Sequence, residues 1–508
     1  MGRRRSKPKA YATIQSVQED VTGSRTLVVI TFSNGNKFRL LVDCGMYQGS
    51  VEEYAKNGSL GFINAELIDA VLLTHAHVDH SGQIPLLYAN GANCNVYMSQ
   101  DTKRICIPLL ENTCQIFAQD NNPMYNENDL NRAIHAFETI EYDEWVELKN
   151  LMNMPSGVSV KFIRNEHIPG AASICVQVSP ENEESFRLMF SGDYNMSNAF
   201  SNRITTMPED IKKNPIAFFM MEATYGRKTK KNMVVGKFEN DVEKYIGMGK
   251  SIIVTAFANM RMQNCLYLLR QMQDKGTLST DIPIYIDGGM GEALTNIWPI
   301  LNTVDIKDFL PQNFHRASTD KKKLIDSEGQ FILVTTSGMG NFGPSKEYLS
   351  MAISKDNMVI YFSGYVSNES TARRIIDAKL GDILDVNGAI KEKRAISDYT
   401  EEMSAHARAE DLQSFIEQFH CIRTLVWNHG SNTSKLAMKE RSDKMENVDV
   451  STINDGKIAF KVDKDGLVKE FTIVSIPVEK SISKQPKRAP KRNKKCKTTR
   501  RNKRATGY

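Results

Sequence analysis

The sequence predicts an α/β fold with a mostly parallel sheet in the middle of the chain. From about residue 216, short apolar runs alternate with segments of helical periodicity. The strand-like runs are "IAFFMMEATYG", "SIIVTAF", "IPIYIDG", "FILVTTSG" and "MVIYFSGY", and "MRMQNCLYLLRQM" is the clearest helix. Such alternation is typical of parallel strands joined by helices. The 508 residues can bury more than one core, so two or three domains are expected.

The segments on either side of this alternation are also predicted to contain strands. "TLVVITFSNGNKFRLLVDCG" has two β-rich runs around an Asn-Gly turn, and "LIDAVLLTHAH" is an apolar strand that ends in histidines. Helices are predicted over Ser99 to about Gln119 and over Asn126 to His135. The segment from about 396 to 478 adds the helix "AEDLQSFIEQF" and the strands "TLVWNHG", "KIAFKVD" and "VKEFTIVS".

Charge is distributed unevenly along the chain. Residues 480–508 contain thirteen Lys and Arg and no Asp or Glu, although the net charge of the whole chain is only +5. A segment of this composition is expected to be disordered and attracted to nucleic acid. A solubilising tail or a targeting address is the alternative interpretation.

The sequence has no features of a membrane or disulfide-bonded protein. No apolar run approaches the roughly 20 residues of a membrane helix. The eight cysteines form no C-x-x-C pair, which favours free thiols in a reducing compartment. We therefore expect no membrane association and a cytoplasmic location, or a nuclear one in a eukaryote because of the basic tail.

The stretch "LTHAHVDHSGQIP" places His75, His77, Asp79 and His80 within six positions of a chain that has only nine histidines. Imidazole and carboxylate groups together suit zinc or a similar first-row ion. The alternation of the side chains allows His75 and His77 to reach one ion while Asp79 and His80 reach a second. An incidental polar loop is the alternative.

Three more motifs follow in an order that resembles the metallo-β-lactamase superfamily. They are Asp43 in "LLVDCG", His167 in "NEHIPGAAS" and Asp193 in "FSGDYN", with the histidine cluster between the first two. Beyond them, three further motifs resemble the signature motifs of the β-CASP branch. They are Glu222 in "MEATYG", His406 in "EMSAHA" and His429 in "VWNHG". This branch comprises nucleic-acid processing enzymes, including ribonuclease J and the endonuclease of eukaryotic mRNA 3′-end cleavage.

The resemblance implies a four-layer αβ/βα metallo-β-lactamase fold with an inserted α/β β-CASP domain. The expected boundaries are 1–215 for the first part of the metallo-β-lactamase domain, 216–395 for the insert, 396–479 for the second part and 480–508 for the tail.

The resemblance also implies two Zn²⁺ ions per chain, with Mn²⁺ or Mg²⁺ as alternatives. One ion would be held by His75, His77 and His167, the other by Asp79, His80 and His429, with Asp193 bridging them. Asp43 would orient ligands without binding metal.

Two bound ions would activate a water molecule for attack on a phosphodiester. The predicted catalytic residues are Asp79, His406 and Glu222, with His406 as general acid or phosphate ligand and Glu222 orienting it. In an alternative interpretation, Ser404 begins a helix and His406 is only a polar neighbour of that cap.

RNA is the predicted substrate, because a histidine at the last motif goes with the RNA-directed members of the family and a valine with the DNA-directed ones. The chain is expected to be a zinc-dependent ribonuclease acting on single-stranded RNA, as a homodimer or as part of a larger RNA-processing complex. A catalytically silent RNA-binding scaffold and a DNA nuclease are the alternatives.

Four residues of the central segment are candidate RNA or phosphate contacts. Ser337 and Gly338 lie in "TTSGMG", which is equally compatible with a plain strand-to-helix turn. The other two are Arg261 and Arg373. Met260, next to Arg261, stands where glycine is common in the family.

Overall fold

The computed structural model describes residues 9–49, 51–118, 123–152, 154–232, 234–364, 366–367 and 369–472. The basic segment 480–508, for which disorder and nucleic-acid binding are predicted, lies outside the described residues.

Strands alternate with helices through most of the described chain. The strands are β1 (Tyr11–Ser16), β2 (Thr26–Thr31), β3 (Lys37–Val42), β4 (Ala70–Leu72), β5 (Asn95–Met98), β6 (Phe137–Thr139), β7 (Trp145–Lys149), β8 (Pro155–Arg164), β9 (Ala172–Val178), β10 (Phe186–Phe190), β11 (Phe218–Glu222), β12 (Ser251–Thr255), β13 (Ile284–Asp287), β14 (Phe314–Arg316), β15 (Ile332–Thr335), β16 (Met358–Phe362), β17 (Ile383–Val386), β18 (Ala389–Glu392), β19 (Ile396–Tyr399), β20 (Ile422–Asn428), β21 (Val448–Ile453), β22 (Ile458–Asp463) and β23 (Gly466–Thr472).

The helices are α1 (Val51–Tyr54), α2 (Val78–Ser81), α3 (Ile84–Ala89), α4 (Gln100–Phe117), α5 (Glu127–His135), α6 (Glu209–Lys212), α7 (Lys237–Gly247), α8 (Arg261–Asp274), α9 (Gly289–Ile297), α10 (Lys321–Ile325), α11 (Gly343–Ala352), α12 (Thr371–Asp377), α13 (Ala409–Ile416) and α14 (Asn432–Ser442). Short 3-10 turns span Ala65–Leu67, Lys230–Asn232 and Trp298–Ile300.

Two mixed sheets pack face to face. One has eight strands in the order β23-β22-β1-β2-β3-β4-β5-β6, and the other has seven in the order β21-β20-β11-β10-β9-β8-β7. Their facing sides share one apolar core, which contains Val28 and Leu40 of the first sheet and Val160, Ile174 and Phe218 of the second. Burial of such side chains is the main favourable term in sheet packing.

Helices cover the outer face of each sheet. On the first sheet, Leu41 and Val71 share a core with Leu110 of α4. On the second, Phe219 shares a core with Phe415 of α13. The layers therefore run helix, sheet, sheet, helix, which confirms the predicted four-layer arrangement.

The third sheet is entirely parallel, with six strands in the order β14-β13-β15-β12-β16-β19. It is the inserted α/β sheet expected from the alternation in the central segment. A two-stranded antiparallel ribbon, β17 and β18, precedes its last strand.

Two strands lie in different sheets from those that their positions in the sequence indicated. The run "IAFFMMEATYG" was grouped with the insert, but β11 pairs in parallel with β10 and β20 in the seven-stranded sheet. Conversely, β19 lies beside β16 in the parallel sheet. All five residues of β11 are buried, and a strand buried on both faces has the same continuous apolar pattern in either sheet.

The helices near the predicted site begin at identifiable caps. The Ser99 hydroxyl accepts a hydrogen bond from the Thr102 N–H at the start of α4, and Asn126 forms a capping box with Asp129 at the start of α5. Both helices agree with the prediction. The helix after His406 begins only at Ala409, so Ser404 is not its N-cap. Among the described residues, none of the helices combines the length and apolar character needed to cross a bilayer.

Candidate metal centre

The predicted ligands lie where strands of the two mixed sheets end. Asp43 directly follows β3, Glu222 is the last residue of β11, and His429 directly follows β20. Asp193 comes three residues after β10, and the loop with His75 and His77 follows β4 and leads into α2. Rigid strands thus hold a set of polar loop residues at one edge of the sandwich.

The potential ligand atoms form three overlapping groups, each with all atoms within 4.8 Å of one another. Asp193 belongs to all three. The groups are His75, His77, His167 and Asp193; Asp79, His80, Asp193 and His429; and Asp193, Glu222 and His406. The first two contain the residues that the resemblance assigns to one ion and to the other.

The first group points ring nitrogens inward without protons on them. The Thr74 hydroxyl donates to Asp43 at 2.9 Å and therefore accepts from His75 Nδ1, which is 3.1 Å away. His167 Nδ1 donates to the Ala405 carbonyl oxygen at 2.9 Å. The Nε2 atoms of His75 and His167 consequently carry lone pairs, and each lies 3.1 Å from His77 Nδ1.

The outer ring nitrogens of the second group also have fixed hydrogen-bond partners. His80 Nδ1 donates to Asp43 Oδ2 at 2.7 Å. The Thr224 hydroxyl donates to the His429 carbonyl oxygen at 3.1 Å, so it accepts from His429 Nδ1 at 3.0 Å. The two Nε2 atoms lie 3.2 Å apart. Burial disfavours a charge on His80, but Asp193 and Asp43 outweigh it and raise the pKa of His80 well above the ordinary histidine value, so a bound cation would replace the proton on its Nε2.

The Asp193 carboxylate lies between the two groups. Its Oδ1 atom is 3.2 Å from His80 Nε2 and 3.3 Å from His429 Nε2, and its Oδ2 atom is 3.5 Å from His167 Nε2 and 3.7 Å from His75 Nε2. Asp79 Oδ2 adds a second carboxylate, 3.8 Å from His429 Nε2. Oδ1 of Asp193 is buried and has no hydrogen-bond partner among the described residues.

These residues fit divalent cations. Imidazole nitrogens arranged around two buried carboxylates are a donor set that divalent cations prefer, and cations there would take over the positive charge that now stabilises the carboxylates. The outer hydrogen bonds from the rings to Thr74, Ala405, Thr224 and Asp43 are the contacts that metal-binding histidines normally make. The cluster could therefore bind metal ions.

Electrostatics favours positive charge in the cluster. Burial opposes ionisation of Asp193, but neighbouring His429 and His80 outweigh it and hold the pKa of the carboxyl well below its usual range. Burial and the proximity of His80 lower the pKa of His75 well below the ordinary histidine value. Burial likewise lowers the pKa of His77, to about 4, so these rings are neutral and able to bind metal at neutral pH.

Glu222 and His406 form a pair beside Asp193. Glu222 accepts from the Tyr194 N–H at 2.7 Å and from the Thr224 N–H at 3.1 Å, and its oxygens lie 3.1 and 3.2 Å from His406 Nδ1. Burial disfavours a charge on His406, but the carboxylates of Glu222 and Asp193 outweigh it and raise its pKa to about 9. His406 Nε2 points toward Asp193 Oδ2 at 3.8 Å.

Unusual backbone geometry accompanies the site. Asp43 (φ 59°) and His429 (φ 45°) are non-glycine residues in the left-handed region, where most side chains are strained and functional residues are enriched. Gly192 precedes Asp193 with φ 59°, and a Cβ there would lie 2.7 Å from the Thr74 Cβ. Glycine is required at this position for both reasons.

The four candidate phosphate contacts lie at the inserted sheet, outside the metal-binding groups. A Cβ on Gly338 would lie 3.2 Å from the Phe257 ring, and one on Gly364 would lie 3.6 Å from Arg261 Nε. Arg261 Nη1 is buried without a hydrogen-bond partner among the described residues. Ser337 Oγ donates to the Phe342 carbonyl oxygen at 3.2 Å, in the turn between β15 and α11.

Arg373 lies on α12, where its Nη1 atom is 3.4 Å from Asp377 Oδ1. Met260, where the family commonly has glycine, adopts φ 68°. This is the left-handed backbone region that glycine enters without strain.

The sequence interpretation missed the groups that fix the histidine tautomers. Thr74 directly precedes His75, and Thr224 stands two residues after Glu222, so both lie inside the quoted motifs. The Ala405 carbonyl carries no side-chain signal at all.

Comparison with known proteins connects this site to a family. Residues 262–375 match the family model described as Beta-Casp domain. The chain carries a β-CASP domain. The resemblance seen in the motifs is confirmed. Residues 25–214, which precede the β-CASP domain, match the model described as Anti-Pycsar protein Apyc1.

Relatives that match most of the chain are distant. It is 28% identical to Ribonuclease TTHA0252 of Thermus thermophilus over 373 residues, 70% of this chain and 79% of that protein. It is 25% identical to Probable RNase MJ4 of Methanocaldococcus jannaschii over 415 residues, 80% of this chain and 90% of that protein. It is also 25% identical to Transcription termination factor FttA of Methanothermobacter thermautotrophicus, over 66% of this chain and 54% of that protein.

Proposed function

We propose that this protein is a metal-dependent ribonuclease that hydrolyses RNA phosphodiester bonds with two Zn²⁺ ions. The observation that carries the proposal is the Asp193 carboxylate, whose two oxygens face two separate groups of histidine nitrogens. The naming of two relatives as ribonucleases supports RNA as the substrate class. The histidine at position 429 favours RNA over DNA, as the resemblance implies.

The proposed ligands are His75, His77 and His167 for one ion, and Asp79, His80 and His429 for the other, with Asp193 between them. Bound there, two divalent ions would acidify a water molecule and polarise the phosphoryl oxygen that it attacks. Asp43 orients His80 through the hydrogen bond to Nδ1 and leaves Nε2 free to bind.

His406 is proposed to protonate the leaving 3′-oxygen. Glu222 holds Nδ1, so the second ring proton lies on Nε2, the atom directed toward Asp193. The side chain of His406 is 20% exposed, whereas that of Glu222 is fully buried. A substrate can therefore reach the proton donor while the carboxylate behind it stays shielded from water.

We also propose that the insert consists of the parallel sheet from Ser251 to Tyr399 with its helices, and that Arg261, Ser337 and Gly338 contact RNA phosphates. Arg261 is the best supported of these, because its guanidinium is buried with an unpartnered nitrogen. Arg373 also has a buried nitrogen, Nε, without a partner among the described residues, but its Nη1 pairs with Asp377, which makes it the weaker candidate.

The test is cleavage of end-labelled single-stranded RNA, with the metal content of the same samples measured. An Asp79→Ala/His80→Ala variant, and wild type treated with a chelator, should both lose metal and cleavage. His135→Ala is the matched control, because His135 is an exposed histidine on α5 that bonds only the Asn131 carbonyl among the described contacts. Unchanged cleavage after metal removal would refute the proposal.

The same samples distinguish the alternatives. A silent scaffold would bind RNA without cleaving it, and a DNA nuclease would prefer the matched DNA strand. The intact set of ligand residues argues against the scaffold.

A further inference from the structure

Residues 402–407 join the parallel sheet to the metal centre. They follow β19, a strand of that sheet, within a few positions. Further along, the Ala405 carbonyl oxygen accepts from His167 Nδ1 at 2.9 Å, and His406 Nδ1 lies 3.1 Å from a Glu222 oxygen. The path of this segment therefore decides where His167 finds its outer partner and where the proposed proton donor lies.

Glu402 fastens the start of the segment to helix α7. Its two carboxylate oxygens accept hydrogen bonds from the Phe238 N–H at 2.6 Å and the Lys237 N–H at 3.0 Å, the first two N–H groups of the helix. Gly236, the residue before the helix, has no side chain that could accept them. Glu402 thus caps a helix whose first residue is 165 positions away, and its negative charge is favourable at a helix N-terminus.

Helix α7 is in turn fixed to the parallel sheet. Lys237 Nζ lies 2.8 Å from Asp398 Oδ1 on β19, and the Tyr245 hydroxyl donates to Asp398 Oδ2 at 2.8 Å. The Phe238 ring packs edge-on against the ring of Tyr361 on β16, with 5.5 Å between the ring centroids. The sheet therefore sets the position of the N–H groups that hold Glu402.

The contact made by Glu402 lies at the edge of an open space. A cavity of about 610 Å³ beside His406 is lined both by residues 402–406 and by residues at the start of α7. These two parts of its lining are not packed against each other across the cavity. Among the described residues, the hydrogen bonds that join α7 to residues 400–407 are those of Glu402. Loss of these bonds would let the segment and the helix move apart.

A displacement at Glu402 would be passed on to the metal centre. Ala405 is three residues away, at most about 11 Å of chain. Met403, between them, is buried in the apolar core, and beyond them the Ala407 N–H donates to the Tyr194 carbonyl oxygen at 2.8 Å. The segment is therefore short and closely packed, and its residues move together.

Building on the metal-dependent ribonuclease function proposed above, we propose that Glu402 is a positioning residue of the metal centre. By holding the segment against α7, it sets where the Ala405 carbonyl meets His167 and where His406 meets Glu222. The parallel sheet then contributes to metal binding, although none of the proposed ligands lies in it. Attachment of the segment to α7 and metal binding are thermodynamically linked, so each strengthens the other.

The first test measures Zn²⁺ affinity by competition with a chromophoric chelator, without RNA. Glu402→Gln replaces one oxygen by NH₂, which cannot accept from the N–H group that it faces. This variant should bind Zn²⁺ about 10- to 100-fold more weakly, the effect of losing an outer partner of a metal-binding histidine. Glu402→Ala, which removes both acceptors, should weaken binding at least as much.

Asp320 provides the matched controls. Its side chain accepts from the Lys323 N–H at 3.1 Å at the start of α10, so Asp320→Asn and Asp320→Ala make the same chemical changes at another helix cap. Glu402→Ala and Asp320→Ala should both lower the stability to urea, because each removes a cap. Both Asp320 variants should keep the Zn²⁺ affinity of wild type, which a purely structural role of Glu402 would also predict for its own variants.

The second test uses hydrogen–deuterium exchange to detect the reverse effect. Because linkage is reciprocal, Zn²⁺ added to metal-free wild type should slow exchange of the Lys237 and Phe238 amides by the same factor of about 10 to 100. The Lys323 amide should exchange at the same rate with and without Zn²⁺. In Glu402→Gln, the effect of Zn²⁺ on the α7 amides should disappear.

Neither test requires RNA, so this inference and the ribonuclease function can fail separately. If wild type shows both effects but cleaves no RNA, the ribonuclease proposal fails and the positioning role stands. If wild type cleaves RNA but both Glu402 variants bind Zn²⁺ as tightly as wild type does, the positioning role is refuted. Unchanged exchange of the α7 amides on Zn²⁺ binding would refute it equally.

Discussion

Asp43→Asn is the sharpest test of how the protein orients its histidines. Asp43 receives hydrogen bonds from three donors: the Thr74 N–H at 2.8 Å, the Thr74 hydroxyl at 2.9 Å and His80 Nδ1 at 2.7 Å. Asparagine has the same shape and tolerates the φ of 59° at this position. The substitution therefore changes one oxygen to NH₂ without straining the backbone.

The new NH₂ group must face at least one of these donors. If it faces His80, the ring can satisfy it only by moving its proton to Nε2, which removes the lone pair directed at the centre. If it faces Thr74, a buried backbone N–H loses its acceptor. Loss of an outer partner of this kind lowers metal affinity about ten- to 100-fold, or about 1.4 to 2.8 kcal/mol. The lost buried hydrogen bond lowers the free energy of unfolding of the metal-free protein by about 1–3 kcal/mol.

Zn²⁺ affinity is measured by competition with a chromophoric chelator, and the stability of the metal-free protein by urea unfolding. Asp69→Asn is the matched control, because Asp69 also accepts backbone N–H bonds, from Arg39 and Leu151, but lies before β4, at the opposite end of that strand from His75, and contacts none of the histidines in the described bonds. It should leave Zn²⁺ affinity unchanged. If Asp43→Asn binds Zn²⁺ as tightly as wild type, Asp43 does not set the tautomer of His80.

Four other expectations follow from the same site. His406→Ala should reduce RNA cleavage by about 10²- to 10⁴-fold with metal content unchanged, measured as single-turnover rates; an unchanged rate would exclude His406 as the acid. Gly192→Ala should destabilise the protein and weaken metal binding, because the new Cβ would meet Thr74. Gly249→Ala is the control, because Gly249 also has a positive φ, 75°, but no atom lies within 4 Å of the new Cβ. It should cost only about 1–2 kcal/mol of backbone strain and leave metal affinity intact. Equal effects of the two on metal affinity would contradict the steric argument. Adding Zn²⁺ at about 100 times its Kd to the metal-free protein should raise the unfolding free energy by about 2.7 kcal/mol for each occupied site in thermal or urea unfolding, and no rise would mean that the folded chain does not bind it preferentially. Deleting residues 480–508 should weaken RNA binding and flatten its salt dependence; equal binding at low salt would assign the tail another role.

The candidate ligand residues could be predicted because each stands in a short motif, and the ordered set of motifs resembles a known family. His75, His77, Asp79 and His80 are neighbours in the sequence, and Asp193 and His429 directly follow strand patterns. Alternation of strands and helices also predicted the parallel sheet. These signals are local and do not require knowledge of the tertiary structure.

Contacts between distant segments could not be predicted in the same way. The carbonyl oxygen that holds His167 belongs to Ala405, and any residue could supply it. The cavity beside His406 needs two walls that are far apart in the sequence. The sheet membership of β11 depends on which neighbours it meets, because its apolar pattern suits either sheet.

The order of the ligands along the chain has a consequence for biosynthesis. His80 and His429, whose Nε2 atoms face each other, are separated by 349 positions, and the whole parallel sheet is translated between them. The first group, from His75 to Asp193, leaves the ribosome before that sheet is made. At about 5–20 residues per second, the second group stays incomplete for tens of seconds longer. During that interval a nascent chain would contain every residue of the first group but not the Ala405 carbonyl that holds His167, and the second group would still lack His429.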